Sequence, residues 1–444
     1  MAKREKKIQD YNFWYWLLRF YVDLALKLSF RNKRYADREK IPQDGAVIYA
    51  PNHTNALMDA LMILAMDRKP KVFVARADIF KNPVLAKIFK FLKIMPIMRM
   101  RDGIDEVKKN VEIIQKSVDV LRDKVPFCIF PEGQHQAKYS SLPLSKGIFR
   151  IAFQAQELMT DMPLYIVPVG IRYGHFFRFR STVRVQIGDP INVKEFLSEH
   201  NENTPQEQMN ILKEILAERM KASIFYIPDD ENYDATIETC AALESYEIEH
   251  LGGENKGKHT LDIQLLANRA TLKRIEALKE SNPEEAEKLF ELANEAYRLR
   301  RKKDIDIASI STEQPLLTRL VRNVLTFCTL PYSIPASILA SPVVLLSQFI
   351  STKIKDPAFG NSIKFVVNLV LWTLLVVVYG VLAFTLLSWQ WAIVATLLVA
   401  PAPFVAHELW KTVRLAISDI KLIRTKRLKT IYSQIKAIVL KSNK

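Results

Sequence analysis

The sequence predicts an α/β fold: a mostly parallel sheet flanked by helices, followed by a helical region and a C-terminal transmembrane hairpin. Three observations carry this. From about residue 41 to 195, short apolar runs alternate with helical stretches, the pattern of strand–helix units in a parallel sheet. From Thr204 to about Thr312 the chain is rich in Glu, Lys, Leu and Ala and has no strand signal. Between Lys364 and Glu408 lie 43 residues without Lys, Arg, Asp or Glu, and about 20 apolar residues make one span.

Length and composition narrow the class. The chain has 444 residues, 49% hydrophobic and 25% charged, enough for two or three domains and against global disorder. Twelve glycines exclude collagen-like arrays, and three cysteines exclude a disulfide framework, so Cys128, Cys240 and Cys328 read as reduced thiols. The formal charge of +16 sits at the ends. Residues 1–40 hold eleven Lys/Arg against five Asp/Glu, and residues 411–444 hold ten against one. Basic ends beside long apolar runs suit an anionic membrane surface and not a nucleic acid, whose partners spread positive charge over a binding face.

Along the chain, residues 1–39 read as an amphipathic interface helix. Its apolar stretch, Tyr11 to Phe30, carries Arg19, Asp23 and Lys27 on one face and aromatic residues over the rest, with Asp10 as the expected cap. Those charges are foreign to a cleavable signal peptide. Residues 40–198 form the expected α/β domain, with strands at Ala46–Ala50, Lys71–Ala75, Pro126–Phe130, Leu164–Gly170 and Val183–Ile187 and helices at Ile79–Leu92 and Val107–Leu121. Residues 199–315 form a helical accessory region with helices at Pro205–Phe225, Asp230–His250 and Thr260–Arg301. Residues 316–410 hold the membrane segments, and 411–444 a basic cytoplasmic tail. Pro331, Pro335 and Pro342 argue for a re-entrant or interfacial segment at 323–351. Spans are expected at 365–387 and 391–406. The positive-inside rule then puts the α/β domain, the basic loop Lys353–Lys364 and the tail on the cytoplasmic side.

Four short motifs carry chemistry. Asn52-His53 follows the first strand, with Asp59 shortly after. A His beside an Asp is a general base whose tautomer the carboxylate fixes, and with no Ser or Cys nucleophile adjacent it would activate an incoming hydroxyl. Met95–Arg99 is a strand ending in Arg, a residue type that grips phosphate with two hydrogen bonds; Arg76 ends another strand and adds positive potential. Phe130-Pro131-Glu132-Gly133 places a Glu-Gly turn at a strand end, with Leu142–Gly147 downstream. Val167-Pro168-Val169 is a strand whose proline disturbs a regular ladder.

In this order the four motifs resemble those of the glycerolipid acyltransferase family, which includes lysophosphatidate and glycerol-3-phosphate acyltransferases. The resemblance covers about residues 40–195. It implies catalytic roles for His53 and Asp59 and substrate binding by Arg99, Glu132, Gly133 and Lys146. It also implies an acyl thioester donor (acyl-CoA or acyl-carrier-protein), a glycerophosphate acceptor, membrane lipids as partners, and no metal or other cofactor. The reaction would be direct O-acyl transfer in phospholipid synthesis. Two departures stand out. Five residues separate His53 from Asp59 where the family commonly has four; the four-residue position is Met58. The pair survives only if a different turn carries Asp59 to His53, and the yeast-type glycerol-3-phosphate acyltransferases are similar in this longer spacing. Gln134-His135-Gln136 stands where many members have Thr-Arg-Ser, so Arg99, Lys138 or Lys146 would have to meet a phosphate. That second departure keeps open a non-phosphorylated lipid acceptor, or a catalytically inactive lipid-binding scaffold.

Overall fold

The computed structural model describes residues 7–97, 110–251, 260–311 and 316–441. The chain divides into two compact units: Met1–Tyr226 with Ser351–Phe365, and Ile227–Ile350 with Val366–Lys444.

The first unit is built on an eight-stranded sheet. Its strands are β1 (Phe30–Ala36), β2 (Ala46–Pro51), β3 (Val72–Arg76), β4 (Ile94–Ile97), β5 (Phe127–Cys128), β6 (Leu164–Tyr173), β7 (Ser181–Ile187) and β8 (Ile191–Asn192). The order is β1-β7-β6-β2-β5-β3-β4, with β8 pairing beside β6. The five strands from β6 to β4 run parallel, while β7 and β8 pair antiparallel to β6. The expected mostly parallel sheet is therefore present. Every residue of β2 is buried, as a central strand covered on both faces requires. Pro168 sits on β6 between the residues that pair with β8 (Tyr165, Ile166) and those that pair with β7 (Val169–Tyr173). Its missing N–H thus coincides with a change of neighbour.

Local chemistry corrects several boundaries. The first helix is Phe13–Ser29, and its cap is Asn12, whose side chain accepts from Trp14 N and Tyr15 N. Asp10 instead accepts from Lys7 N at 2.9 Å. The strand β1 was not expected; it pairs in parallel with β7 and draws residues 30–36 out of the N-terminal segment into the sheet. The expected helix Ile79–Leu92 starts later, at Pro83, because Asn82 caps it and proline takes the first turn. The helix Pro205–Ser223 buries Leu212, Leu216 and Met220 in the α/β core, so this unit ends after Tyr226 and not at 198.

The close seat of that helix depends on Gly170. A Cβ there would stand 2.0 Å from the Ser223 carbonyl oxygen. Gly170→Ala is expected to lower stability by about 1–3 kcal/mol through overpacking, read as a fall in the thermal midpoint; an unchanged midpoint would mean that the helix end shifts freely.

The N-terminal helix turns Arg19 inward, while Lys27 stays exposed. Arg19 is buried, pairs with Asp23 at 3.1 Å and donates to the Leu64 and Asp67 carbonyls. Phe13, Trp14, Leu17, Phe20 and Leu24 are exposed.

In the second unit, helices Tyr233–His250, Thr260–Ser281, Pro283–Lys302 and Lys426–Lys441 share an apolar core that includes Leu243, Leu278, Leu289, Ile431 and Ile435. Residues 426–441 are thus a packed helix rather than a tail. The segment 323–351 lies within one continuous helix, Leu316–Thr352, despite its three prolines. Pro342 leaves the Ile338 carbonyl without its helical donor, and Ser341 Oγ supplies one at 2.7 Å. No break interrupts the helix within 323–351. Leu320–Thr352 and Pro357–Leu386 are long and apolar enough to cross a membrane. The bent pair Trp389–Val399 and Ala402–Arg424 makes a third candidate, and these helices fit a membrane association.

Candidate active site

The site begins where β2 ends. Asn52 prolongs the pairing with β6: its N–H donates to the Val169 carbonyl. Its side-chain amide donates to the Ile171 carbonyl at 3.1 Å and accepts from Ile171 N at 2.6 Å. This fixes the backbone just before His53. The chain then turns through Ala56, whose φ of 44° is rare for a residue with a Cβ, and enters the helix Leu57–Leu64. That turn absorbs the additional residue. Asp59 lies in the first helical turn, and its Oδ2 stands 2.8 Å from His53 Nδ1. Met58, at the usual spacing, is buried in the apolar cluster with Met62 and Ile63.

Asp59 is fully buried and held from several sides. Its Oδ2 also accepts from Thr54 N at 2.7 Å and Asn55 N at 2.6 Å, while Oδ1 accepts from the Tyr173 hydroxyl at 2.8 Å. Burial, and then the neighbouring Asp59, hold the Tyr173 phenol well above its usual range, so it remains a donor. The His53 side chain is 17% exposed. Its ring stacks on Phe130 with centroids 4.1 Å apart and meets the His135 ring edge-on at 5.3 Å. With Nδ1 turned to the carboxylate, Nε2 is the nitrogen left to take a proton.

The Glu-Gly turn lies alongside. Gly133 closes a turn onto the Phe130 carbonyl at φ 66°, a conformation that favours glycine. Gln136 N donates to the His53 carbonyl, and Ser145 N to the Pro131 carbonyl, which draws the Leu142–Gly147 element up to the turn. Glu132 is buried. Burial pushes its pKa up to about 8, although the backbone N–H groups of His53 and Leu142 pull it downward.

Between about pH 4.5 and 8, burial thus favours the protonated Glu132 in the folded chain, where the unfolded chain leaves it ionised. Its contribution is thus largest below about pH 4.5 and is lost as pH rises toward 8. The slope is up to about 1.4 kcal/mol per pH unit. Glu132→Gln is expected to flatten the thermal midpoint against pH across that window; two parallel curves would contradict it.

Among the other candidates, Lys146 sits just before the helix Gly147–Leu158. Its ammonium runs out to Gln206 at 3.3 Å; no contact to the His53–Asp59 pair is seen among the described residues. Arg99 lies outside the described residues. Arg76 is exposed and paired with Asp78 at 3.1 Å. Sequence reasoning missed Tyr173 and the partners of His135, and it named Asn52 in the first motif without giving it a role. Asp356, from the segment Ser351–Phe365, stands 2.7 Å from His135 Nε2. Only Asn52, adjacent to His53, left a local signal.

An imidazole–carboxylate pair at the carboxyl end of a parallel strand, beside a buried glutamate turn, suits a site that activates an acceptor hydroxyl. Residues 33–172 match the family model described as Acyltransferase. Glycerol-3-phosphate O-acyltransferase 2 of Saccharomyces cerevisiae is 25% identical over 289 residues, covering 62% of this chain and 38% of the relative. A 1-acyl-sn-glycerol-3-phosphate acyltransferase of Cocos nucifera is 26% identical over 172 residues, covering 38% of this chain and 51% of the relative. The chain thus spans about half, or less, of the length of these relatives. Among solved structures, a 1-acyl-sn-glycerophosphate acyltransferase from Thermotoga maritima is similar at 20% identity and a TM-score of 0.35, over 50% of this chain and 83% of that one. The matching family model and relatives agree with the resemblance carried by the four motifs.

Proposed function

We propose that this chain moves a fatty acyl group from an acyl thioester to a hydroxyl of glycerol-3-phosphate or lysophosphatidate, at a membrane and in phospholipid synthesis. The observation that carries the reading is the 2.8 Å contact of His53 Nδ1 with a buried Asp59 that also accepts from Thr54 N, Asn55 N and the Tyr173 hydroxyl. In this mechanism His53 Nε2 takes the proton of the acceptor hydroxyl as its oxygen attacks the thioester carbonyl. The C–S bond then breaks, the ester forms, and the thiolate recovers a proton. Asp59 orients the ring and stabilises the imidazolium as it develops. Glu132, Gly133, Arg99 and Lys146 are assigned to the acceptor.

Purified protein in detergent is expected to release thiol from acyl-CoA when glycerol-3-phosphate or lysophosphatidate is added. Acyl-carrier-protein as donor and a phosphate-free lipid alcohol as acceptor complete the comparison. Release only with the phosphate-free alcohol would replace the acceptor class, and no release with any pair would leave a lipid-binding scaffold.

Membrane attachment belongs to the same reading. No helix in residues 7–311 is long and apolar enough to cross, among the described residues. The segment Ser351–Phe365 packs in the unit that holds His53. A helix Leu316–Thr352 that crossed the bilayer would deliver its own end to the far side from His53, so it is assigned to the interface. Helices 283–302 and 426–441 pack together, which makes the number of crossings between them even. The hairpin is then Pro357–Leu386 and the bent pair after it, with the basic C-terminus on the cytoplasmic side together with the active site. A C-terminal tag in sealed vesicles is expected to share the protease sensitivity of the α/β domain; a tag on the opposite side sinks this topology.

A further inference from the structure

The His53 loop is strained at Ala56. Strained backbone persists where the surroundings over-determine it. Part of that determination comes from residues 356–362, remote in sequence. Asp356 Oδ1 accepts from Ala358 N at 2.9 Å, which leaves Oδ2 for His135 Nε2 at 2.7 Å. Phe359 meets the other side of the His135 ring, with centroids 5.1 Å apart. Asn361 Nδ2 donates to Asn55 Oδ1 at 3.0 Å, and Ser362 Oγ accepts from Leu57 N at 3.2 Å. That last bond satisfies a first-turn N–H that a helix cannot satisfy itself. One short stretch therefore touches both flanks of the His53–Asp59 turn and the imidazole packed against His53.

We infer that Asp356 is a positioning residue. Through His135 it fixes the edge against which the His53 ring packs, and with Asn361 and Ser362 it forms the wall that holds the His53–Asp59 turn in register. His53 stacks on Phe130 and also meets His135. Freeing His135 releases the latter contact, and the base then samples orientations in which Nε2 is misaligned with the acceptor. A small misplacement of a reacting group lowers the rate while binding is little changed. This rests on His53 being the base, as proposed above.

The test uses the full chain in detergent or vesicles. Asp356→Asn and Asp356→Ala are expected to lower kcat about 10–100-fold with KM for either glycerophosphate within about threefold, and with a thermal midpoint near that of wild type. Asp356→Glu is expected to recover part of the loss. A merely structural role would lower kcat and midpoint together, with no recovery. A second readout needs no turnover. In protein labelled at the histidine Cε1 carbons, the His53 signal, assigned by its loss in His53→Ala, is expected to shift or broaden in Asp356→Asn. A kcat within twofold of wild type, or an unmoved His53 signal, overturns the inference. If the wild type transfers no acyl group but the His53 signal moves, the clamp stands and the assigned reaction falls.

Discussion

His53→Ala is expected to lower kcat for acyl transfer by about 10²–10⁴-fold, the range that a positioned general base supplies. Full activity in that variant would remove the mechanism. Asp59→Asn isolates the charge from the geometry. Three donors converge on Oδ2, and the Tyr173 and Thr54 hydroxyls on Oδ1. An asparagine can place its oxygen under the three donors and its amide toward Tyr173, whose hydroxyl rotates to accept. The turn survives, but the partner that stabilises an imidazolium is neutral. The expected loss in kcat is at least about tenfold, with a thermal midpoint close to wild type. A large fall in midpoint with little change in kcat per folded molecule would reverse the roles, making Asp59 a structural cap.

The second large effect lies in the helical unit. Glu238 is fully buried and accepts from Arg300 Nε at 2.8 and 3.0 Å and from the Tyr432 hydroxyl, while Arg300 also donates to the Ile305 carbonyl at 3.1 Å. These groups come from three helices, so the cluster ties the C-terminal helix to the rest of the unit. Arg300→Met leaves a buried carboxylate without its counter-charge and is expected to destabilise the protein by about 3–5 kcal/mol. Replacing both partners, as Glu238→Leu with Arg300→Met, is expected to return most of that loss, because no charge is left buried alone. Thermal unfolding of the two variants decides it. A double variant as unstable as the single one would place the energy in packing rather than in the ion pair.

Much of this architecture is legible in the sequence, for definite reasons. The central strands are continuous apolar runs because both faces of the sheet are covered, and His53 and Glu132 follow directly on strands. β1 is hidden because Phe30-Arg31-Asn32-Lys33-Arg34 is charged and extends an apolar helix without a breaker. The C-terminal helix is hidden for a related reason. Leu428, Ile431, Tyr432, Ile435 and Val439 have helical spacing and are buried, but they are interleaved with six lysines and arginines between Lys421 and Lys436, which read as a solvated tail. Tyr173 and Asp356 were beyond reach altogether. Their partners lie 114 and 221 residues away, and local periodicity holds no trace of a side chain that arrives from another part of the fold.

The α/β unit is discontinuous, and this sets an order of events during synthesis. Residues 1–226 leave the ribosome long before Ser351–Phe365 is made. A nascent chain therefore carries the histidine and the aspartate for more than a hundred further residues without the stretch that braces them, and by then the apolar helix 316–352 has also emerged. The α/β unit becomes complete only after one of the long apolar helices has been made. Truncation before residue 351 discards part of the first domain along with the hydrophobic helices that follow it.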